Sequence, residues 1–189
     1  MHGPASYSGG SFKVPTWPDC PRIDVLDTVA LHLRPRRAKK WRTLRAEALG
    51  KWAVAGLAFK VTEDLAAKYP VFDPNDLRDA QLEEMMVSPY LRLMALSSYY
   101  GGSIPAIATW MPATDPAAFA AFYVGPTFWT NTSLFTKRHR LTHEVGHCLG
   151  LNHRQESPPK ATVMNDFEIN STNPDPHDLD SLRTYYQGA

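Results

Sequence analysis

The chain has 189 residues and a mass of 21.2 kDa, with 20 Lys and Arg against 19 Asp and Glu, a formal net charge of +1. One domain of this length buries about 70% of the surface its unfolded chain exposes, and 43% hydrophobic with 21% charged residues exclude a wholly disordered chain. The near-neutral balance argues against a nucleic-acid partner, and the sequence holds no apolar run long enough for a membrane span.

Residues 1–21 are rich in Gly, Ser and Pro and read as an extended or flexible arm. They lack a basic stretch followed by an apolar core, so they do not read as a secretory signal, and the compartment is left open. Residues 22–189 read as a single domain with an upper part over 22–150 and a lower part over 151–189. Val29 to Leu33 alternates as a strand that Pro35 stops. From Arg36 to about Ala55, Trp41, Leu44, Ala48, Leu49 and Trp52 recur at helical spacing, and Gly56 is a plausible stop. Seven basic residues between Arg34 and Arg45 read as a solvated helix face offset by acidic residues such as Asp73, Asp76, Asp79, Glu83 and Glu84. Leu57 to Thr62 alternates as a second strand. Glu63 to Tyr69 fits a short helix or a loop, Asn75 to Val87 suggests a helix, and Leu91 to Ser97 fits either a helix or a strand. Gly101-Gly102 marks a turn. Ile104 to Met111 reads as a strand, and Ala117 to Val124 is an apolar run. Thr127 to Thr132 suits a half-exposed edge strand. Cys20 and Cys148 are too few for a disulfide framework; they read as free thiols, with a single bridge between them left open.

Residues 143–153 read His-Glu-Val-Gly-His-Cys-Leu-Gly-Leu-Asn-His. On a helix, His143 and His147 project about 40° apart and ~6 Å apart along the axis, so both imidazoles reach one metal ion. Glu144 lies about 100° round from His143, beside such an ion. It suits a general base for a water that the ion activates. A helix continued to His153 would point that ring about 120° away from His147. A stop at Gly150 lets the chain turn and His153 return as a third ligand. Three imidazoles leave a tetrahedral zinc ion one open position, the arrangement of a catalytic site. His139, one turn before His143, is too far from His147 to share the ion and reads as a surface or cleft residue. His177 reads as exposed, His32 as part of a strand, and Cys148 as a small buried residue.

The string HEVGHCLGLNH resembles the zinc-binding signature of metzincin metallopeptidases. Ala161 to Asp166, with Met164 eleven residues after His153, is similar to that family's methionine turn. The resemblance implies that Met164 packs beneath the metal without ligating it. Asp175-Pro176 reads as an N-cap and first helical residue, and the string Asp178-Leu179-x-x-Leu182-x-x-Tyr185-Tyr186 that follows looks like the last helix of matrixin-like members. Arg154 after the third histidine departs from the named branches and leaves the subfamily unassigned. No tyrosine closely follows Met164, so the extra tyrosine of the astacin and serralysin branches is not carried over, nor are the matrixins' additional structural Ca2+ or Zn2+ ions.

The expected fold is therefore α+β, a metzincin-like zincin domain. It has a twisted mixed sheet, an active-site helix near 136–149 and a cleft above a small C-terminal subdomain. The expected activity is a zinc metalloendopeptidase, with one catalytic Zn2+ on His143, His147 and His153 and Glu144 as general base. The resemblance implies a peptide or protein substrate bound in an extended conformation along Tyr123 to Thr132. The alternative is a zinc-stabilised structural or binding module of a larger assembly, with vestigial peptidase activity.

Overall fold

A computed structural model describes residues 6–7, 10–11, 22–27, 29–63, 90–95, 106–111, 119–124, 126–130, 133–154, 161–165 and 170–187. The expected elements over 63–69 and 75–87 and the Gly101-Gly102 turn fall almost wholly outside these residues, as do Cys20 and most of the first 21 positions. Within the latter, β1 (Ser6–Tyr7) and β2 (Gly10–Ser11) form a short antiparallel pair.

The remaining strands are β3 (Arg22–Asp27), β4 (Ala58–Thr62), β5 (Tyr90–Ala95), β6 (Ala106–Met111) and β7 (Phe119–Val124). They make one mixed sheet in the order β4-β3-β5-β7-β6. β3 pairs parallel with β4 and β5, and β5 pairs parallel with β7. β6 joins β7 antiparallel and forms one edge of the sheet. Leu91 to Ala95 is thus strand. Ile23, Val25 and Asp27 point from β3 into the buried interior at the two-residue period of a strand.

Among the described residues, four α-helices accompany the sheet: α1 (Pro35–Ala53), α2 (Pro126–Trp129), α3 (Leu134–Cys148) and α4 (Pro176–Gln187). Pro35 occupies the first helical position of α1, where a missing N–H costs nothing. The stripe Trp41, Leu44, Ala48, Leu49 and Trp52 is buried, as its spacing predicts. α1 and α3 pack together, and α3 also lies against β6 and β7. Trp52 Nε1 donates to the Thr142 carbonyl at 2.9 Å, and Arg138 pairs with Glu47 at 2.6 Å. These pairings run in the same order along both helices, which are therefore parallel. Among the described residues, no helix is long and apolar enough to cross a membrane.

Two expectations are corrected. Val29–His32 is a 3-10 turn, and the strand lies earlier, at Arg22–Asp27. The cause is Asp27: its carboxylate accepts the Val29 N–H at 2.9 Å and Trp41 Nε1 at 2.7 Å, and it pairs with Arg45. A side chain that captures a backbone N–H two residues on starts a turn, whatever the hydrophobic alternation beyond it. The stretch expected as an edge strand near Thr127 to Thr132 instead begins as α2. Phe128 is fully buried there, and its ring meets Trp41 at 6.2 Å and Trp129 at 5.0 Å. That aromatic corner holds the chain in a helical turn. Tyr123 and Val124, expected in the same edge, belong to β7, which is paired on both sides.

Candidate metal centre

α3 begins at Ser133, whose hydroxyl accepts the Thr136 N–H at 3.0 Å in place of a missing helical carbonyl. It ends at Gly150, with φ 101°, a conformation that L side chains rarely adopt. The Gly150 N–H donates to the His147 carbonyl at 2.8 Å and the Leu151 N–H to the Gly146 carbonyl at 3.0 Å. This pair of bonds is the Schellman termination, and it reverses the chain. Tyr186 of α4 donates its hydroxyl to the Leu149 carbonyl at 2.9 Å and secures the same corner.

The reversal brings His153 back over the helix. Its Nε2 lies 3.0 Å from that of His143 and 2.9 Å from that of His147, and the latter two are 3.0 Å apart. The structure thus gathers all three histidines singled out by spacing into a group able to hold a metal ion. Tautomers follow from the neighbours. His143 Nδ1 donates to the Val163 carbonyl at 2.7 Å, and His147 Nδ1 donates to the Leu151 carbonyl at 2.7 Å. A carbonyl only accepts, so both N–H groups sit at Nδ1 and both Nε2 atoms present lone pairs. Lone pairs 3.0 Å apart cannot bond each other and repel unless a cation lies between them. A tetrahedral ion with metal–nitrogen bonds of 2.0–2.1 Å needs nitrogens about 3.3 Å apart, so the three rings stand roughly 0.4 Å from such a set. The donor atoms therefore fit a metal. Burial, followed by the charges that His143 and His153 would carry, pushes the His147 pKa well down. The ring stays neutral, the form that ligates.

Glu144 follows His143 on the helix and is half-buried. Cys148 is a buried free thiol whose pKa is pushed well up by burial and, second, by the Glu144 charge. It stays protonated and unreactive. His139, read from sequence as a surface or cleft residue, is buried. Its ring stacks on His143 with centroids 5.5 Å apart, and its Nδ1 donates to the Ser171 carbonyl at 2.5 Å. Burial lowers its pKa against the pull of that bond. His177 is half-buried on α4, and His32 lies in the 3-10 turn.

Met164 packs against α3 at Gly146, the residue before His147. It is fully buried, and a Cβ built on Gly146 would stand 2.5 Å from its sulfur. Glycine is therefore needed between the two helical histidines for this sulfur to reach the helix backbone. The Arg154 N–H donates to the Met164 carbonyl at 2.8 Å, and Arg154 forms a parallel bridge with Asn165. The Arg154 guanidinium is buried against Asp175 and, at 3.9 Å, Asp178. Asp178 also accepts from Thr162 and from the Asp175 N–H, while Asp175 accepts the Asp178 N–H at 2.9 Å. This reciprocal cap fixes the start of α4. Sequence reasoning found Asp175 but missed Arg154 and Asp178 as its buried partners. Asp178, three residues after the cap, was the available signal.

No protein-family model matches the chain, and no curated protein matches it. Among solved structures it is similar to a chain of the GM1-bound ECX AB5 holotoxin, with 13% identity and a TM-score of 0.55 over 97% of this chain and 86% of that one. It is also weakly similar to metalloproteinase-II from Bacteroides fragilis, with 15% identity and a TM-score of 0.44 over 97% of this chain and 57% of that one. The first likeness concerns the fold alone.

Proposed function

We propose that the chain is a zinc-dependent metalloendopeptidase of metzincin type, with His143, His147 and His153 holding one zinc ion and Glu144 acting as general base. The observation that carries this reading is the convergence of three Nε2 atoms, and Glu144 next to His143 on the same helix supports the role of general base. Met164 against Gly146 supports the methionine-turn part of the resemblance. A zinc ion held there supplies Lewis acidity, which polarises a carbonyl and brings a water's pKa to about 7. Glu144 accepts the proton of the attacking water and hands it to the leaving amine. His143 and His147 are kept in the ligating tautomer by the Val163 and Leu151 carbonyls. β6 replaces Tyr123 to Thr132 as the edge strand for an extended peptide, because it lies at the sheet edge and packs against α3. A peptide adding to it would gain main-chain hydrogen bonds.

The second reading is a zinc-stabilised module of a larger assembly with vestigial peptidase activity; the holotoxin chain that shares the fold is itself part of an assembly. Glu144 separates the two, since a structural site needs no general base. The test is metal content by mass spectrometry, then incubation of metal-loaded protein with a quenched peptide library, with and without chelator. Glu144→Gln is expected to keep the metal and lose cleavage by about 100-fold or more. Cleavage unchanged in that variant overturns the assignment. A wild-type protein that binds metal and cuts nothing supports the module.

A further inference from the structure

Three consecutive carbonyl oxygens ahead of α4 are each taken by a donor from a different part of the molecule. His139 on α3 donates from Nδ1 to Ser171 at 2.5 Å. Lys51, in the last turn of α1, donates from Nζ to Thr172 at 2.6 Å. The Val163 N–H donates to Asn173 at 2.9 Å. The Ser171 hydroxyl closes the segment on itself, accepting the Asn173 N–H and donating to the Asn173 carbonyl, both at 3.0 Å.

Val163 is bound on both sides. Its N–H holds the segment 171–173, and its carbonyl accepts the Nδ1 proton of His143 at 2.7 Å. A path from Lys51 and His139 to a ring of the triad therefore runs through one short segment and one residue, and His139 also stacks on His143 directly. Both donors sit where water would otherwise compete. Lys51 is half-buried and its ammonium makes a charge-assisted bond, about twice as strong as a neutral one. His139 is buried, and its Nδ1 proton is directed to a carbonyl just as those of His143 and His147 are. Outer hydrogen bonds of this kind set the tautomer and direction of metal-binding imidazoles.

We propose that Lys51 and His139 are positioning residues of the metal centre: by fixing residues 171–173 they hold Val163, and through its carbonyl they orient His143. This rests on the reading of the triad as a metal centre.

The test uses the full chain, titrated with zinc against a competing chelating dye, and the cobalt-substituted protein, whose visible bands report ligand geometry. Lys51→Met keeps the stem and removes the donor; it is expected to weaken zinc binding about 10-fold or more and to shift the cobalt bands. Lys51→Arg retains a donor and restores both. His139→Leu is expected to behave like Lys51→Met, and His139→Asn, whose amide nitrogen falls near the place of Nδ1, to stay close to wild type. Should His139→Leu fail to fold, the Lys51 pair decides. Zinc affinity and cobalt bands unchanged in folded Lys51→Met overturn the proposal and leave the metal centre standing. A wild-type protein that binds no zinc overturns the metal-centre reading, and this proposal with it.

Discussion

Replacing Gly146 by alanine tests the packing that supports the triad. The new Cβ would stand 2.5 Å from Met164 Sδ, 2.6 Å from Trp52 Cζ2 and 3.2 Å from Trp52 Cη2. Comfortable carbon contacts lie near 3.5–4.0 Å, so each close partner must retreat by about 1 Å. Neither has room. Trp52 is fully buried and tied through Nε1 to Thr142. Met164 is fully buried and its carbonyl is held by Arg154. Alanine in a helix gains about 1 kcal/mol over glycine, against an overpacking cost of roughly 1–3 kcal/mol. Two clashes place the cost at the upper end, leaving a net loss of about 1–2 kcal/mol. In a domain of this size that lowers Tm by about 2–8 °C. Gly50→Ala is the control, because nothing lies within 4 Å of a Cβ there and the residue is exposed on α1. It is expected to stabilise by about 0.5–1 kcal/mol. Urea and thermal unfolding of the metal-free proteins read both. The pair Gly146→Ala and Met164→Ala should couple by about 1 kcal/mol in a double-mutant cycle. A Gly146→Ala protein as stable as wild type, with no coupling, refutes the contact.

Two further outcomes are expected. Arg154→Met removes the buried guanidinium that pairs with Asp175 and, at 3.9 Å, with Asp178, and should cost about 3–5 kcal/mol in urea unfolding; a loss below about 1 kcal/mol would show that the cluster does not anchor the turn. Hydrogen bonds from Arg42 and Arg45 hold the Glu63 pKa at about 2. Its folded value is depressed, so its contribution is present above the unfolded value near pH 4.5 and is lost as pH falls toward about 2. Solvent screening at the half-exposed Arg42 limits it to about 1 kcal/mol. Glu63→Gln should flatten the acid limb of the stability–pH curve, and an unchanged limb would remove Glu63 from the account.

What could be read from the sequence is what side chains encode at short range. The ligand spacing, the turn at Gly150, the buried stripe of α1 and the Asp175 cap all follow from the helical period and local backbone preference. The errors share a cause: a distant partner overrode a local pattern. Val29 to His32 alternates like a strand, yet Asp27, anchored by Trp41 and Arg45, bends it. Phe128 looks like part of an edge strand, yet Trp41 draws it into a helical turn. His139 looks exposed until Ser171 arrives from beyond the triad. The carbonyls of Val163, Ser171 and Thr172 could not have been found at all, because every residue type carries one.

The order in which the chain leaves the ribosome gives these bonds a temporal meaning. The three histidines emerge within eleven residues of one another, and the Leu151 carbonyl that orients His147 lies among them, but the groups at Val163, Met164, Ser171, Asp178 and Tyr186 are synthesised later. A nascent chain that has just exposed His153 holds the three rings without most of their scaffold. On the proposed reading of the triad, ion binding at full strength is thus a late step in maturation, expected only once α4 docks.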